Sequence, residues 1–160
     1  MPIRLALQKD KTAIEQIAHD AYALYLERMD KKPFPMLDDY KAHIAAKHAY
    51  VLEEQGQIVG YIILIPEYEE ADGTTDNTTG GKTVLLDNIG VSPCFRKKGY
   101  GKELMLFAEA WAKEQGFSSI ILYTNIVMRE NLVYYPKLGY VETHKIKEKG
   151  YSRVYFKKEI

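Results

Sequence analysis

The sequence predicts a mixed α/β (α+β) fold: a mostly antiparallel, twisted sheet with a central parallel strand pair and helices on both faces. Three observations predict it. A strand, a long amphipathic helix and another strand follow one another between Thr83 and Thr124, an order that implies a parallel pair with a crossover. Two pairs of apolar runs, residues 50–53 with 58–65 and 140–146 with 151–157, flank short polar turns and read as antiparallel hairpins. Two further helical patterns precede the first hairpin.

Taken in order, residues 3–7 are a short apolar run suited to a strand. Thr12 and Glu15 have capping-box spacing. Ile14, Ile17, Ala18, Ala21, Leu24 and Tyr25 then recur at helical intervals, which predicts a first helix to about Glu27. Pro33 and Pro35 stop it. Asp38 or Asp39 can cap a shorter helix through His48. After the hairpin turned by Glu54-Gln55-Gly56-Gln57, residues 66–81 carry Glu67, Glu69, Glu70, Asp72 and Asp76 with no basic residue, the composition of a long solvated loop. Residues 83–91 form the next strand. Residues 99–115 form the clearest helix, with Leu104, Phe107, Ala108 and Trp111 as its apolar stripe and Gly116 as its cap. A strand at 119–124, a short helix at 129–135 ended by Pro136 and Gly139, and a hairpin about Glu148-Lys149-Gly150 complete the chain.

At 160 residues the expectation is a single domain over 1–160, large enough for a core. The 22 basic and 22 acidic side chains cancel, which argues against nucleic-acid or membrane binding through the global field. A lone cysteine, Cys94, excludes an internal disulfide and a cysteine-based zinc site, so no metal is expected. No apolar run reaches the roughly 18 residues of a membrane span, and residues 1–10 lack a secretory profile. The expectation is a soluble, cytoplasmic protein.

The chemistry concentrates in Val91-Ser92-Pro93-Cys94-Phe95-Arg96-Lys97-Lys98-Gly99-Tyr100-Gly101-Lys102, between a strand and the best helix. Such a junction presents backbone N–H groups without intrahelical partners, at the positive end of the helix dipole. Gly99 and Gly101 let the backbone approach a ligand closely, and Arg96, Lys97, Lys98 and Lys102 add charge. The turn suits a phosphate or pyrophosphate; the bland alternative is an ordinary basic, solvated turn. Two phosphate motifs fail: Gly81-Lys82-Thr83 has Asp76 where a Walker A loop needs glycine, and Leu104 stands where a dinucleotide fingerprint needs its third glycine.

Val91-x-Pro93-x-x-Arg96-x-x-Gly99-x-Gly101 resembles the acetyl-CoA motif of the GNAT superfamily of N-acetyltransferases, and Asn131…Tyr135-x-x-Leu138-Gly139-Tyr140 resembles its second conserved stretch. The resemblance implies a GNAT-like fold and acetyl-CoA as cosubstrate. It implies that residues 96–102, Tyr100 included, hold the pyrophosphate, and that the strand edge of Ile89, Gly90 and Val91 binds the pantetheine amides. Tyr135 is implied as general acid, with Tyr134, about 100° round the helix, as its competitor and core packing as the alternative role. The family often has asparagine seven residues before the tyrosine; Met128 stands there, and Asn131 is the candidate replacement for the pantetheine contact. Pro136 removes an N–H and biases Tyr135 away from helical geometry.

The implied reaction is direct attack of a primary amine on the thioester. The developing oxyanion needs a donor, which a backbone N–H near Val91 can supply. Protonating the thiolate from tyrosine is uphill by about 2 kcal/mol, taking cysteine as a stand-in for the coenzyme thiol. An alkyl ammonium is only about one part in a thousand free base at pH 7.4, so a base is required. Asp87 is the acid on the motif strand, sharing a face with Ile89 and Val91; its alternative is a solvent-facing strand end. Tyr22, Tyr25, Phe34 and Met36 are candidates for an acceptor pocket or ordinary lid packing, and the acidic stretch is a candidate steering element for a cationic amine.

No residue selects an acceptor; the reading leans to a small molecule, with no nucleic acid and no membrane as partners and a homodimer implied as common in the family. Two rivals stand beside it. One is a non-catalytic acyl-CoA-binding sensor. The other is a basic RNA- or partner-binding module using the turn together with Lys145, Lys147, Lys149, Arg153, Lys157 and Lys158.

Overall fold

The computed structural model describes residues 2–66 and 82–160. Among the described residues, seven strands form one sheet: β1 (Ile3–Leu5), β2 (Ala49–Glu54), β3 (Gln57–Ile65), β4 (Lys82–Val91), β5 (Phe117–Asn125), β6 (Val141–Glu148) and β7 (Tyr151–Glu159). Their order is β1-β2-β3-β4-β5-β7-β6, and β4–β5 is the parallel pair, running from Lys82↔Phe117 to Leu86↔Leu122. The helices are α1 (Lys11–Tyr22), α2 (Tyr40–Ala45), α3 (Tyr100–Glu114) and α4 (Arg129–Lys137). The expected mixed sheet with a central parallel pair is therefore present.

Contacts divide the chain into two compact units, Met1–Leu64 with Asp87–Ala108, and Ile65–Leu86 with Glu109–Ile160; β4 and α3 each run through both.

In the first unit, β1 pairs with β2 from Ile3↔Leu52 to Leu5↔Tyr50, and β2 with β3 from Ala49↔Ile63 to Glu54↔Gln57. Gln55 and Gly56 both have positive φ, 50° and 78°, the requirement of a tight two-residue hairpin turn. α1 buries Ile14, Ile17 and Ala18, an i, i+3, i+4 stripe. It begins at Lys11 rather than on the Thr12 capping box, because Asp10 turns back on the preceding chain. The Asp10 carboxylate accepts the Leu7 N–H at 2.8 Å and the Arg4 guanidinium at 2.8 Å. Beyond Tyr22 the chain tightens into a 3-10 helix, Ala23–Arg28, where the spacing predicts continued α-helix. Asp39 caps α2, its Oδ1 accepting the Ala42 N–H at 3.0 Å. α2 ends at Ala45, short of the expected His48.

In the second unit, β5 pairs with β7 from Ser119↔Glu159 to Asn125↔Arg153, and β6 with β7 from Val141↔Lys157 to Glu148↔Tyr151. Leu85, Ile121 and Tyr155 make a core cluster, with Ile65 and Tyr123 packed against it. The Thr83 and Ser119 hydroxyls bond at 2.8 Å inside the sheet. Trp111 stacks on Phe117, centroids 5.7 Å apart and planes 21° apart.

α3 buries Leu104, Met105, Ala108 and Ala112, whereas Phe107 and Trp111 are half-buried, so the buried stripe is rotated from the predicted one. α4 runs through Pro136 to Lys137. Pro136 has no N–H to give the Leu132 carbonyl, and the helix closes in a turn in which the Tyr135 carbonyl accepts the N–H groups of Leu138 at 3.0 Å and Tyr140 at 3.2 Å. Tyr135 is thus helical, contrary to the bias expected from Pro136. The predicted acidic loop, apart from Pro66, lies outside the described residues.

Candidate active site

The glycine turn lies in the first unit. Pro93–Phe95 forms a 3-10 turn, Lys97 and Gly99 take positive φ of 64° and 81°, and α3 begins at Tyr100. Nothing lies within 4 Å of a Cβ built on Gly99, so its glycine answers a backbone requirement and not crowding. A Cβ on Gly101 would meet only Val91 Cγ2, at 3.9 Å, leaving the helix start open. Arg96, Lys97, Lys98 and Lys102 are exposed around it, and Lys98 Nζ lies 5.5 Å over the Phe95 ring. The backbone N–H groups at the start of a fifteen-residue helix, beside four cations, form a donor set fitted to a pyrophosphate.

Along β4 the alternation expected from sequence is present: Asp87, Ile89 and Val91 are half-buried on one face, Asn88 and Gly90 buried on the other. Asn88 anchors the strand. It accepts the Tyr61 hydroxyl at 2.8 Å and donates to the Tyr40 hydroxyl at 2.6 Å, and Tyr40 in turn donates to the Pro35 carbonyl at 2.5 Å. Burial raises the pKa of both tyrosines, so these hydroxyls stay neutral. The Tyr22 hydroxyl donates to the Ile89 carbonyl at 2.9 Å, placing one of the expected acceptor-side aromatics against the expected pantetheine edge. Tyr25 is buried and packs against Tyr22, centroids 6.0 Å apart, while Phe34 and Met36 are half-buried in a 3-10 turn.

Asp87 is not a solvent-facing strand end. Its side chain is 11% exposed and its Oδ2 lies 3.9 Å from His43 Nε2, which also meets Asp38 Oδ2 at 3.0 Å. The three ligand-type atoms lie within 4.8 Å of one another. Burial works against a charge on His43, but the hydrogen bond with Asp38 and the charges of Asp38, Asp87 and Asp39 outweigh it, so its pKa is raised. Asp38 shows the complement: burial is outweighed by the His43 hydrogen bond and charge, and its pKa is lowered. Sequence reasoning missed His43 altogether and read Asp38 only as a cap. The available signal was that Asp39 suffices to cap α2, which leaves Asp38 for another partner.

The second unit holds the tyrosine helix. Tyr135 is 6% exposed and packs against Tyr134, Phe156 and Tyr140 at centroid distances of 5.5, 6.0 and 6.2 Å; Tyr134 is 38% exposed. Met128 sits at the N-cap of α4 and is buried. Asn131 Nδ2 donates to Thr124 Oγ1 at 3.0 Å, tying α4 to the end of β5. In the C-terminal hairpin, Arg153, 5% exposed, bonds Glu148 at 3.0 Å, Lys158 bonds Glu109 at 2.9 Å, and Lys157 Nζ lies 3.9 Å from Glu159 Oε1. Among the described residues no helix is long and apolar enough to cross a membrane.

The model of the acetyltransferase (GNAT) family matches residues 12–140. An uncharacterized N-acetyltransferase of Escherichia coli (strain K12), YjgM, is 31% identical over 144 residues, covering 86% of this chain and 79% of that protein. A probable N-acetyltransferase 14 of Xenopus tropicalis is 32% identical over 108 residues, 67% of this chain and 47% of that protein. The chain spans about half the length of such vertebrate relatives. Among solved structures, an acetyltransferase of the GNAT family from Streptococcus agalactiae 2603 matches with a TM-score of 0.79 at 22% identity, over 99% of this chain and 94% of that one, a likeness of fold.

Proposed function

The chain belongs to the GNAT acetyltransferase family, and from that premise we propose that it transfers the acetyl group of acetyl-CoA directly to a primary amine, that of a small molecule. The observation that carries the reading is the turn at residues 96–102. Its positive-φ Gly99 and the open, cation-ringed start of α3 form an anion cradle. Acetyl-CoA supplies the activated acyl group as a thioester.

The chain's own residues divide the remaining work. Backbone N–H groups of Gly99, Tyr100, Gly101 and Lys102, with the side chains of Arg96, Lys97, Lys98 and Lys102, neutralise the pyrophosphate. The edge of Ile89, Gly90 and Val91 offers its main chain to the pantetheine amides, and the Val91 N–H stabilises negative charge on the carbonyl oxygen. Asn131 contributes its remaining polar capacity to the pantetheine arm. Tyr135 protonates the departing thiolate, and Asp87 belongs to the group that deprotonates the amine.

The deciding experiment is thiol release from acetyl-CoA with a panel of primary amines, beside calorimetry with coenzyme A. Binding with amine-dependent thiol release is expected. Coenzyme binding without turnover on any amine would favour the sensor, and a salt-dependent RNA mobility shift without coenzyme binding would favour the basic module.

A further inference from the structure

We propose that Asp38, His43 and Asp87 form the site that receives the acceptor's ammonium group, with His43 taking its proton. This rests on the acetyl-transfer reading and deepens it by naming the acceptor class, a primary amine that is cationic at neutral pH.

The placement is specific. Asp87 shares a strand face with Ile89 and Val91, and α2 brings His43 to that side chain, with Asp38 from the preceding connection closing the group. The side chains of His43, Asp38 and Asp87 are 15%, 9% and 11% exposed, dry enough to strengthen the electrostatics yet open enough to pass a proton to water. With His43 in its neutral, proton-accepting form, the two carboxylates leave a net negative site, complementary to an ammonium ion.

A carboxylate alone is a poor base here. An alkyl ammonium near pKa 10.4 faces a gap of about 6.5 units to an ordinary aspartate, but less than about 4 to an imidazole raised above 6.5. The titratable groups around His43 are Asp38 and Asp39 ahead of α2, Asp87 on β4, Tyr40 on its own helix with its ring 6.3 Å away, and His48 with its ring 6.1 Å away. Burial and the charge of His43 lower the His48 pKa, so His48 stays neutral and does not compete for the proton.

The step balances. The acceptor enters as R–NH3+ and gives one proton to His43, which releases it to water. The nitrogen lone pair forms the C–N bond as the C–S bond breaks; the second N–H proton leaves to solvent, and Tyr135 regains from solvent the proton it gave the thiolate. The products are amide, thiol and one released proton.

The test compares wild type, His43→Gln and Asp38→Asn in kcat/KM against pH, beside an NMR titration of the His43 ring with n-butylammonium chloride, n-butanol serving as the neutral control. Wild type is expected to lose activity toward acid with an apparent pKa above 6.5. His43→Gln loses that limb and about 100-fold of kcat/KM at neutral pH with the KM for acetyl-CoA unchanged. Asp38→Asn retains part of the activity but shifts the limb downward, and the same shift appears in the ring titration. The ring signals move with n-butylammonium and not with n-butanol. An unchanged acid limb in His43→Gln, ring signals indifferent to the amine, or activity abolished by EDTA and restored by Zn2+ would each overturn the assignment. Absence of turnover on every amine would defeat the acetyl-transfer reading instead, while the ring titration still decides whether the cluster receives an ammonium.

Discussion

Replacing Gly90 with alanine adds one methyl group where the first unit has no room for it. A Cβ at Gly90 would lie 2.5 Å from Tyr61 Cε1 and 3.0 Å from its Cζ, against the roughly 3.5–4.0 Å of a relaxed carbon contact. The ring has to retreat by about 1 Å to restore that distance. Tyr61 is 0% exposed, and its hydroxyl is committed to Asn88, so the ring cannot swing aside without loosening that bond. Overpacking costs about 1–3 kcal/mol and the weakened buried hydrogen bond about 1 more, giving roughly 3 kcal/mol. At about 2–4 °C per kcal/mol for a chain of this size, Tm should fall by roughly 6–12 °C. Urea unfolding and thermal melts followed by circular dichroism measure it. Gly60→Ala is the internal comparison: its Cβ would sit 3.1 Å from Leu104 Cδ1 and 3.2 Å from the Gly90 carbonyl oxygen, a tighter fit than usual but a lesser clash, worth about 1 kcal/mol. A loss below about 0.5 kcal/mol for Gly90→Ala, or one smaller than that of Gly60→Ala, would refute the packing argument.

Tyr135→Phe should lower kcat by about 100-fold while leaving the acetyl-CoA affinity nearly intact; an equal loss in both, seen by steady-state kinetics and calorimetry, would reduce Tyr135 to packing. For Asp10, the Arg4 hydrogen bond outweighs burial and, with the Leu7 N–H, holds the carboxyl below its usual pKa. Its stabilisation is therefore complete above about pH 4 and lost as pH falls through the folded-state value. Asp10→Asn should consequently be less stable than wild type at neutral pH and converge with it in acid urea melts; a constant gap at all pH values would contradict this. Thr83→Val should cost about 1–3 kcal/mol by stranding the buried Ser119 hydroxyl, whereas Thr83→Val with Ser119→Ala should cost less than the single change. Additive losses in a double-mutant cycle would show that the two hydroxyls do not act as a pair.

Local signals explain what was legible in the sequence. The positive-φ pairs Gln55-Gly56 and Lys149-Gly150 are fixed by turn chemistry, so both hairpins could be read directly. The turn before α3 was legible for the same reason, since Gly99 and the basic run are contiguous. Helix ends were less so: Asp10 is drawn back by Arg4, six residues earlier, and that competition outweighs the capping box at Thr12. The stripe of α3 shifted: Met105 and Ala112 are buried, while the half-buried Phe107 and Trp111 lie against Tyr50 and Phe117, partners that helical periodicity does not reveal. His43 was invisible because its partners lie on two segments, Asp38 just before its helix and Asp87 more than forty residues away. Only tertiary contact makes a group of them.

Trp111 is the one tryptophan in a chain with thirteen tyrosines, and it rests on Phe117 inside the second unit. Excited at the red edge, its indole emits alone, giving that unit a native optical reporter, while far-ultraviolet ellipticity averages over the whole backbone. Superimposable denaturation curves from the two signals would mean that the units melt together; separated midpoints would mean that a shared strand and a shared helix do not suffice to make them one cooperative body.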